Sequence, residues 1–285
     1  MKPILVFQSD FTYKEGAVCA MYGVVKSVDR ELEIIDGTHE LPQFDTWSAS
    51  YRLYQVMSFW PKGTIFVSIV DPGVGTKRRA SVAHTVDGYY VVSPDNGSLT
   101  HIKYGVGIRE IREIDETTNR LKGKNTEGVS VFHGRDLFSY CAARLASGII
   151  TFEEVGPKYD VSEVIAHTMH EPVIEEGSAM GMIEINDPNF GNIWTNFPLD
   201  KFQQAGFNFD QWLQVTIRHE GQVVFSQRVL FVRTFGDAET GEPILYNNEL
   251  MRVGLAVNRG SFSEMYKIGH GPAWQIEVTK PPAHS

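Results

Sequence analysis

The sequence predicts an α/β N-terminal domain with a mostly parallel sheet, followed by an all-β C-terminal barrel. Three observations carry this expectation. Over residues 1–168, short runs rich in Val, Ile and Phe alternate with segments whose apolar residues recur at helical spacing, the pattern of strand–helix–strand units. Beyond about residue 175 the helical spacing fades, and strand-like runs follow one another, broken by Gly, Asn and Asp-Pro. A chain of 285 residues, 42% of them hydrophobic, is long enough to fill two cores. The expected domains are residues 1–168 and 179–285, with 169–178 as linker.

The elements follow in order. "ILVFQ" (4–8) is a continuous apolar run, the signature of a strand buried on both faces. "EGAVCAMYGVVKSV" (15–28) has apolar residues at 17, 18, 21, 24 and 25, a helical stripe. "LEIID" (32–36) reads as a strand, "DTWSASYRLYQVMSFW" (45–60) as a helix and "TIFVSIV" (64–70) as a strand. "ASVAHTV" (80–86) and "GYYVVS" (88–93) are further strands, and "GRDLFSYCAARLAS" (134–147) is a helix. In the second half, 179–186, 191–197, 212–232, 251–258 and 273–279 are strand-like, with a hairpin turning at Gly221.

A net charge of -9 and a pI near 5.5 argue against nonspecific binding to nucleic acid or to anionic membrane surfaces. Two cysteines, Cys19 and Cys141, provide neither a disulfide framework nor a CxxC metal site, which fits a reducing cytoplasm. The opening "MKPILVFQSD" has four consecutive apolar residues, too few for a signal peptide, and no run approaches the roughly 18 of a membrane span. A cytoplasmic globular protein is expected.

One pattern goes beyond fold. Four extended runs of the first half finish on aspartate, at Asp10, Asp36, Asp71 and Asp95. In an open α/β sheet, ligands bind outside the carboxyl ends of the strands, so acids gathered there suit hydroxyl-rich or cationic ligands. Aspartate is also common in turns and at helix N-caps, and each position alone is open to that explanation. Asp71 is harder to dismiss, because "DPGVG" fixes a turn and Arg78, seven residues on, can swing back to it. A structural ion pair remains the alternative. The stretch lacks the GK[ST] ending of a phosphate loop. His133 and Gly134 stand just before a predicted helix, with Asp136 able to favour its N-terminus. No helical metal-ligand spacing is present, and no metal is expected. In "NDPNFGNIWTNF" (186–197), Phe190, Asn192 and Trp194 share one face if the segment is extended. Such a face near Asp187 can hold a flat heterocycle and an amine, or else be core.

Taken in order, "SDFT", "VDPGVGTKRRA", "SPDNG", "FHGRD" and "DPNFGNIWTN" resemble the S-adenosyl-L-methionine hydroxide adenosyltransferases, which belong with the fluorinase and chlorinase that use the same substrate. The resemblance spans both predicted domains. It implies an N-terminal α/β domain, a C-terminal barrel and a homotrimer, with S-adenosyl-L-methionine bound between one subunit's N-terminal domain and its neighbour's C-terminal domain. No cofactor is implied, since S-adenosyl-L-methionine is the substrate. Asp10 would hold the ribose hydroxyls and Phe44 would lie near the sugar. Asp187 would take the methionine amine, with Phe190, Asn192 and Trp194 around adenine and the amino acid, and Asn248 and Asn258 in the last substrate segment. The hydrolases of the family resemble this chain in an Asp–Arg–His set, here Asp71, Arg78 and His133. The halogenases have tyrosine where Asp71 stands and lack this histidine, and the fluorinase has a halide-binding serine where Gly134 stands. One departure is that Glu249 and Leu250 replace the serine and arginine that serve the methionine carboxylate in the fluorinase, with Arg252 and Arg259 nearby. The implied activity is hydrolysis of S-adenosyl-L-methionine to adenosine and methionine; a chlorinase, or a binding module without catalysis, are the alternatives.

Overall fold

The computed structural model describes residues 2–281 except 124, 125, 127 and 129. Its contacts divide the chain into two compact units, one up to His167 and one from Thr168.

In the first unit, β1 (Leu5–Ser9), α1 (Ala17–Val28), β2 (Ile34–Thr38), α2 (Thr46–Met57), β3 (Ile65–Ile69), β4 (Ala80–Thr85), β5 (Tyr90–Pro94), β6 (Ile108–Glu113), α3 (Glu116–Asn119), α4 (Tyr140–Ala146) and β7 (Lys158–Tyr159) follow in order. The sheet runs β2-β1-β3-β5-β4-β6-β7. Its first four strands are mutually parallel, and the rest are added antiparallel. The sheet is therefore mixed, and its parallel part, β2, β1, β3 and β5, holds all four strand-end acids. Alternation along the strands divides two cores: Leu5, Phe7, Ile65 and Val67 face α1 and α4, whereas Val6 and Phe66 face α2. The continuous apolar runs read from the sequence are strands covered by helices on both faces.

The predicted helix over 45–60 begins where Asp45 caps it, accepting the Ser48 N–H at 3.0 Å. The predicted helix over 134–147 starts differently. Gly134–Ser139 form a π-helical turn before α4, and the Ser139 hydroxyl donates to the loosened Gly134 carbonyl at 2.7 Å. β6 carried no strand signal. The isoleucines at 108 and 111, with Ile114 just after the strand, are spaced by three, which matches neither face of a strand, and the pairing with β4 shifts register at His84/Thr85.

The second unit contains β8 (Val173–Glu175), β9 (Ser178–Asn186), β10 (Ile193–Pro198), β11 (Trp212–His219), β12 (Gln222–Phe231), β13 (Pro243–Asn247), β14 (Arg252–Val257) and β15 (Trp274–Thr279). The order β10-β14-β13-β12-β11-β15-β9 is closed by β9–β10 pairing, giving a seven-stranded barrel, with β8 added outside on β9. The segment expected as linker thus carries a short strand. Phe197, Phe202, Phe207 and Phe231 fill the barrel core, where Phe202 stacks on Phe207 at 4.2 Å between ring centres. The turn of the β11–β12 hairpin holds Gly221 at φ 81, as its sequence predicts. No helix of the described residues is long and apolar enough to cross a membrane.

Candidate active site

The site begins with strand register. β1 and β3 pair in parallel, with Ser9 opposite Ile69, so the next residues bring Asp10 and Asp71 to the same sheet edge. The connection from β1 leads to β2 on one side, and that from β3 leads away on the other. This is the topological switch point, where an open α/β sheet leaves a crevice. Asp10 accepts the Phe44 N–H at 2.9 Å. Burial pushes its carboxyl above the ordinary 3.8, Phe44 opposes this, and the Asp71 charge adds to the rise. Phe44 has φ 64, a left-handed pose that turns its N–H to Asp10 while its ring is 67% exposed.

Asp71 and Arg78 form a forked pair. Arg78 Nε donates to Asp71 Oδ1 at 2.8 Å and Nη2 donates to Oδ2. Gly73 permits the fold-back, because a Cβ there would stand 3.1 Å from Arg78 Cγ. Phe138, from the π-helical turn, lies under the guanidinium at 5.1 Å. The same Nη2 donates to His133 Nδ1 at 2.9 Å. Two groups seven residues apart and a third 55 residues further on are thus one connected set, and both side chains of the ion pair are more than 90% buried.

That last bond fixes the histidine's proton. Arginine only donates, so Nδ1 supplies a lone pair and the neutral ring carries its hydrogen on Nε2. Burial, and then the Arg78 charge, hold the imidazole below the ordinary 6.5. Nε2 itself is buried, with no hydrogen-bond partner among the described residues. An orphaned donor therefore projects from a pinned ring.

The other two strand-end acids are engaged in structure. Asp95 accepts from Tyr159 Oη at 3.0 Å and from the Ile165 N–H at 2.9 Å, while Asp36 lies 3.3 Å from His39 Nε2. Asp136 is fully buried and paired with Arg135, so its carboxylate does not serve the helix start alone.

In the barrel unit, Phe190, Asn192 and Asn258 line one cavity of about 630 Å³, together with Asn189, Phe235, Arg259 and Ser261. The alternating face expected over 190–194 does not form. Asp187 Oδ1 accepts the N–H of Asn189 at 2.9 Å and of Phe190 at 3.2 Å, and Gly191 has φ 67. This turn leaves Phe190 69% exposed, while Trp194, the second residue of β10, is buried. Trp194 Nε1 donates to Tyr246 Oη at 2.9 Å, and Tyr246 also bonds Asn192. Phe235 packs edge-on against Tyr246 at 5.1 Å, so the indole supports the cavity from behind. Phe235 was not legible in the sequence, since "VRTFGD" has no periodicity.

Asn248 does not line this cavity. It is buried, and its Oδ1 accepts from Leu250 N at 2.9 Å and Arg252 N at 3.0 Å, closing the β13–β14 turn, while Nδ2 has no partner among the described residues. Asn258 Nδ2 donates to the Ala238 carbonyl at 2.8 Å, which anchors the cavity rim. Glu249 is exposed. Of the two nearby arginines, Arg252 donates to the Asn196 carbonyl at 2.9 Å beside Glu184, and Arg259 borders the cavity.

Comparison with known proteins agrees with both halves. Residues 5–156 match the SAM hydroxide adenosyltransferase N-terminal domain, and residues 181–275 match its C-terminal domain. A relative named (R)-S-adenosyl-L-methionine hydrolase, from Methanocaldococcus jannaschii, is 30% identical over 86% of this chain and 85% of its own. A fluorinase from Actinopolyspora mzabensis is 26% identical over 98% of each chain. The crystal structure of an uncharacterized conserved protein from Thermotoga maritima, 33% identical, superposes with a TM-score of 0.85 over 97% of this chain and all of that one. The chain belongs to the SAM hydroxide adenosyltransferase family, which is related to the fluorinases.

Proposed function

We propose that the protein hydrolyses S-adenosyl-L-methionine to adenosine and L-methionine. The observation that carries this reading is the Asp71–Arg78–His133 set, a continuous chain of hydrogen bonds from the carboxylate through the guanidinium to the imidazole. Water attacks C5′ of the ribose, forming a C–O bond as the C5′–S bond breaks. The bonding pair goes to sulfur, and methionine leaves as a neutral thioether. A sulfonium needs no acid to depart, so the protein's task is to place one water in line and remove its proton.

Orientation of that kind supplies on the order of 7–11 kcal/mol. Proton removal supplies about 10²–10⁴-fold, roughly 3–5 kcal/mol. In this reading Asp71 takes the proton of the attacking water, and His133, through its Nδ1 lone pair, fixes Arg78 and with it the carboxylate. Arg78 uses one lone pair on each Asp71 oxygen and leaves others for this purpose. Asp10 holds the ribose hydroxyls beside Phe44. The cavity at Phe190, Asn192 and Asn258, backed by Trp194, takes adenine, and Asp187 takes the amine. Asn248 acts indirectly by holding the β13–β14 turn.

Two features favour water over halide. Asp71 stands where the halogenases resemble one another in a tyrosine. A side chain at Gly134 would begin 3.1 Å from Phe11, 3.2 Å from Phe132 and 3.3 Å from Met21, leaving little room for the serine of the fluorinase. The test is to incubate the protein with (R)- and (S)-epimers of S-adenosyl-L-methionine and follow adenosine by chromatography, with ¹⁸O-labelled water expected to label C5′–OH. Chloride-dependent 5′-chloro-5′-deoxyadenosine would replace this reading with a chlorinase, and tight binding without product would leave a binding module.

The active form is proposed to be a homotrimer whose sites join neighbouring subunits. Asp71→Asn and Asp187→Ala variants, each nearly inactive at low substrate, should complement when co-expressed. If subunits mix freely, about a quarter of the sites combine two unaltered halves. Activity no greater than the sum of the separate variants would count against shared sites.

A further inference from the structure

His39 follows β2 and is fully buried, and it is absent from the set just described. Its Nδ1 lies 2.7 Å from Ser9 Oγ, and its Nε2 lies 2.8 Å from Tyr22 Oη. Its carbonyl accepts the Thr12 N–H at 2.8 Å. Ser9 and Thr12 bracket Asp10. Thr12 has φ 57, a left-handed pose unfavourable for a β-branched residue, and such poses persist where the surroundings enforce them. Here the enforcing contact is the His39 carbonyl. Two further bonds, Leu41 N to the Ser9 carbonyl at 3.3 Å and Phe44 N to Asp10 Oδ2 at 2.9 Å, extend the same grip along residues 39–44.

We propose that His39 is a positioning residue for Asp10, clamping the backbone on both sides of the acid so that its carboxylate meets two adjacent ribose hydroxyls. The inference rests on the reading of Asp10 as the ribose-binding group. Burial holds the His39 imidazole below its ordinary 6.5 against the opposing charges of Asp36 and Glu40, which suits a neutral clamp with one donor and one acceptor nitrogen. Tyr13, packed edge-on at 5.2 Å, closes the remaining side.

The readout is ribose discrimination, which general loosening of the fold would not move selectively. Calorimetry with adenosine and with 2′,3′-dideoxyadenosine gives the affinity ratio for the wild type, Asp10→Ala, His39→Asn and the double variant. His39→Asn should cut the ratio about tenfold, and should change it little when Asp10 is already alanine, the non-additivity of groups acting through one another. A normal ratio in His39→Asn, or an equal tenfold loss on both backgrounds, overturns the proposal while leaving the role of Asp10 intact. A normal ratio in Asp10→Ala overturns the ribose reading itself. If His39→Asn does not fold, Ser9→Ala and Tyr22→Phe each remove one ring contact. They should lower the ratio in the same Asp10-dependent way, and additive or absent effects would again refute the clamp.

Discussion

Asp71→Asn is expected to lower the turnover of S-adenosyl-L-methionine by about 10²–10⁴-fold with KM changed only a few-fold, the signature of an interaction made in the transition state. The argument comes from the proton on His133. Its Nδ1 is occupied by Arg78 Nη2 at 2.9 Å, so the neutral ring has no free lone pair with which to take the water's proton. In the proposed reaction Asp71 is then the acceptor. His133→Gln keeps an acceptor for Arg78 and should fall less far than Asp71→Asn, whereas His133→Phe removes that acceptor and should approach it. Arg78→Lys loses the fork that aligns both partners and should fall between. A rate in Asp71→Asn that climbs with hydroxide concentration would identify loss of the base. If Asp71→Asn stays near wild type while His133→Gln collapses, the proton goes to the imidazole and the assignment is reversed.

The acid limb of the same profile follows from His133. Burial and Arg78 hold its imidazole below 6.5, so the neutral ring persists as pH falls past that value. Once protonated it would present Nδ1–H to another donor, and the set would open. Turnover should hold below pH 6.5 and drop only as the lowered pKa is crossed; a midpoint at or above 6.5 would count against a buried, arginine-facing ring.

How much of this could be read from the chain depends on where the determining contact lies. The parallel strands were legible because burial on both faces leaves an unbroken apolar run, as in "TIFVSIV". The Asp71–Arg78 fold-back was legible because Pro72, Gly73 and Gly75 force a turn between two residues only seven apart. Its connection to His133 is 55 residues away in sequence, and family resemblance suggested it where local pattern could not. The face expected at 190–194 failed because one carboxylate, Asp187, captured two backbone N–H groups and bent the chain before the strand began. His39 was missed for a related reason. "DGTHE" looks like any polar strand end, and its meaning appears only when Ser9, from the neighbouring strand, is brought beside it.

Glu184 gives the second large effect. On β9, Ala179 and Ile183 face the barrel core, so Glu184 points to the other side, yet it is 97% buried. Burial raises its carboxyl from the ordinary 4.5 to about 7, the Arg252 guanidinium pulling it down and Glu171 pushing it up. The Arg252 contact, Nε to Oε2 at 3.9 Å, is too long to offset the desolvation. The native state therefore retains a proton that the unfolded chain releases above pH 4.5. Stability from this group is full below pH 4.5, falls as pH rises towards 7, and levels off above it. The total is about 3 kcal/mol, at 1.36 kcal/mol per pH unit between the two pKa values. His39, His84, His133 and His167, all held below 6.5 chiefly by burial, slope the opposite way, since below that pH the unfolded chain binds protons they refuse. The wild-type curve alone would hide both. Urea unfolding of wild type and Glu184→Gln at pH 5 and pH 8 isolates the carboxyl, because the imidazoles cancel in the difference. The variant should gain about 2.5 kcal/mol relative to wild type on going from pH 5 to pH 8, whatever its offset at pH 5. A difference that does not change with pH would mean Glu184 is ionised throughout, matched by a closer Arg252 than the 3.9 Å separation allows.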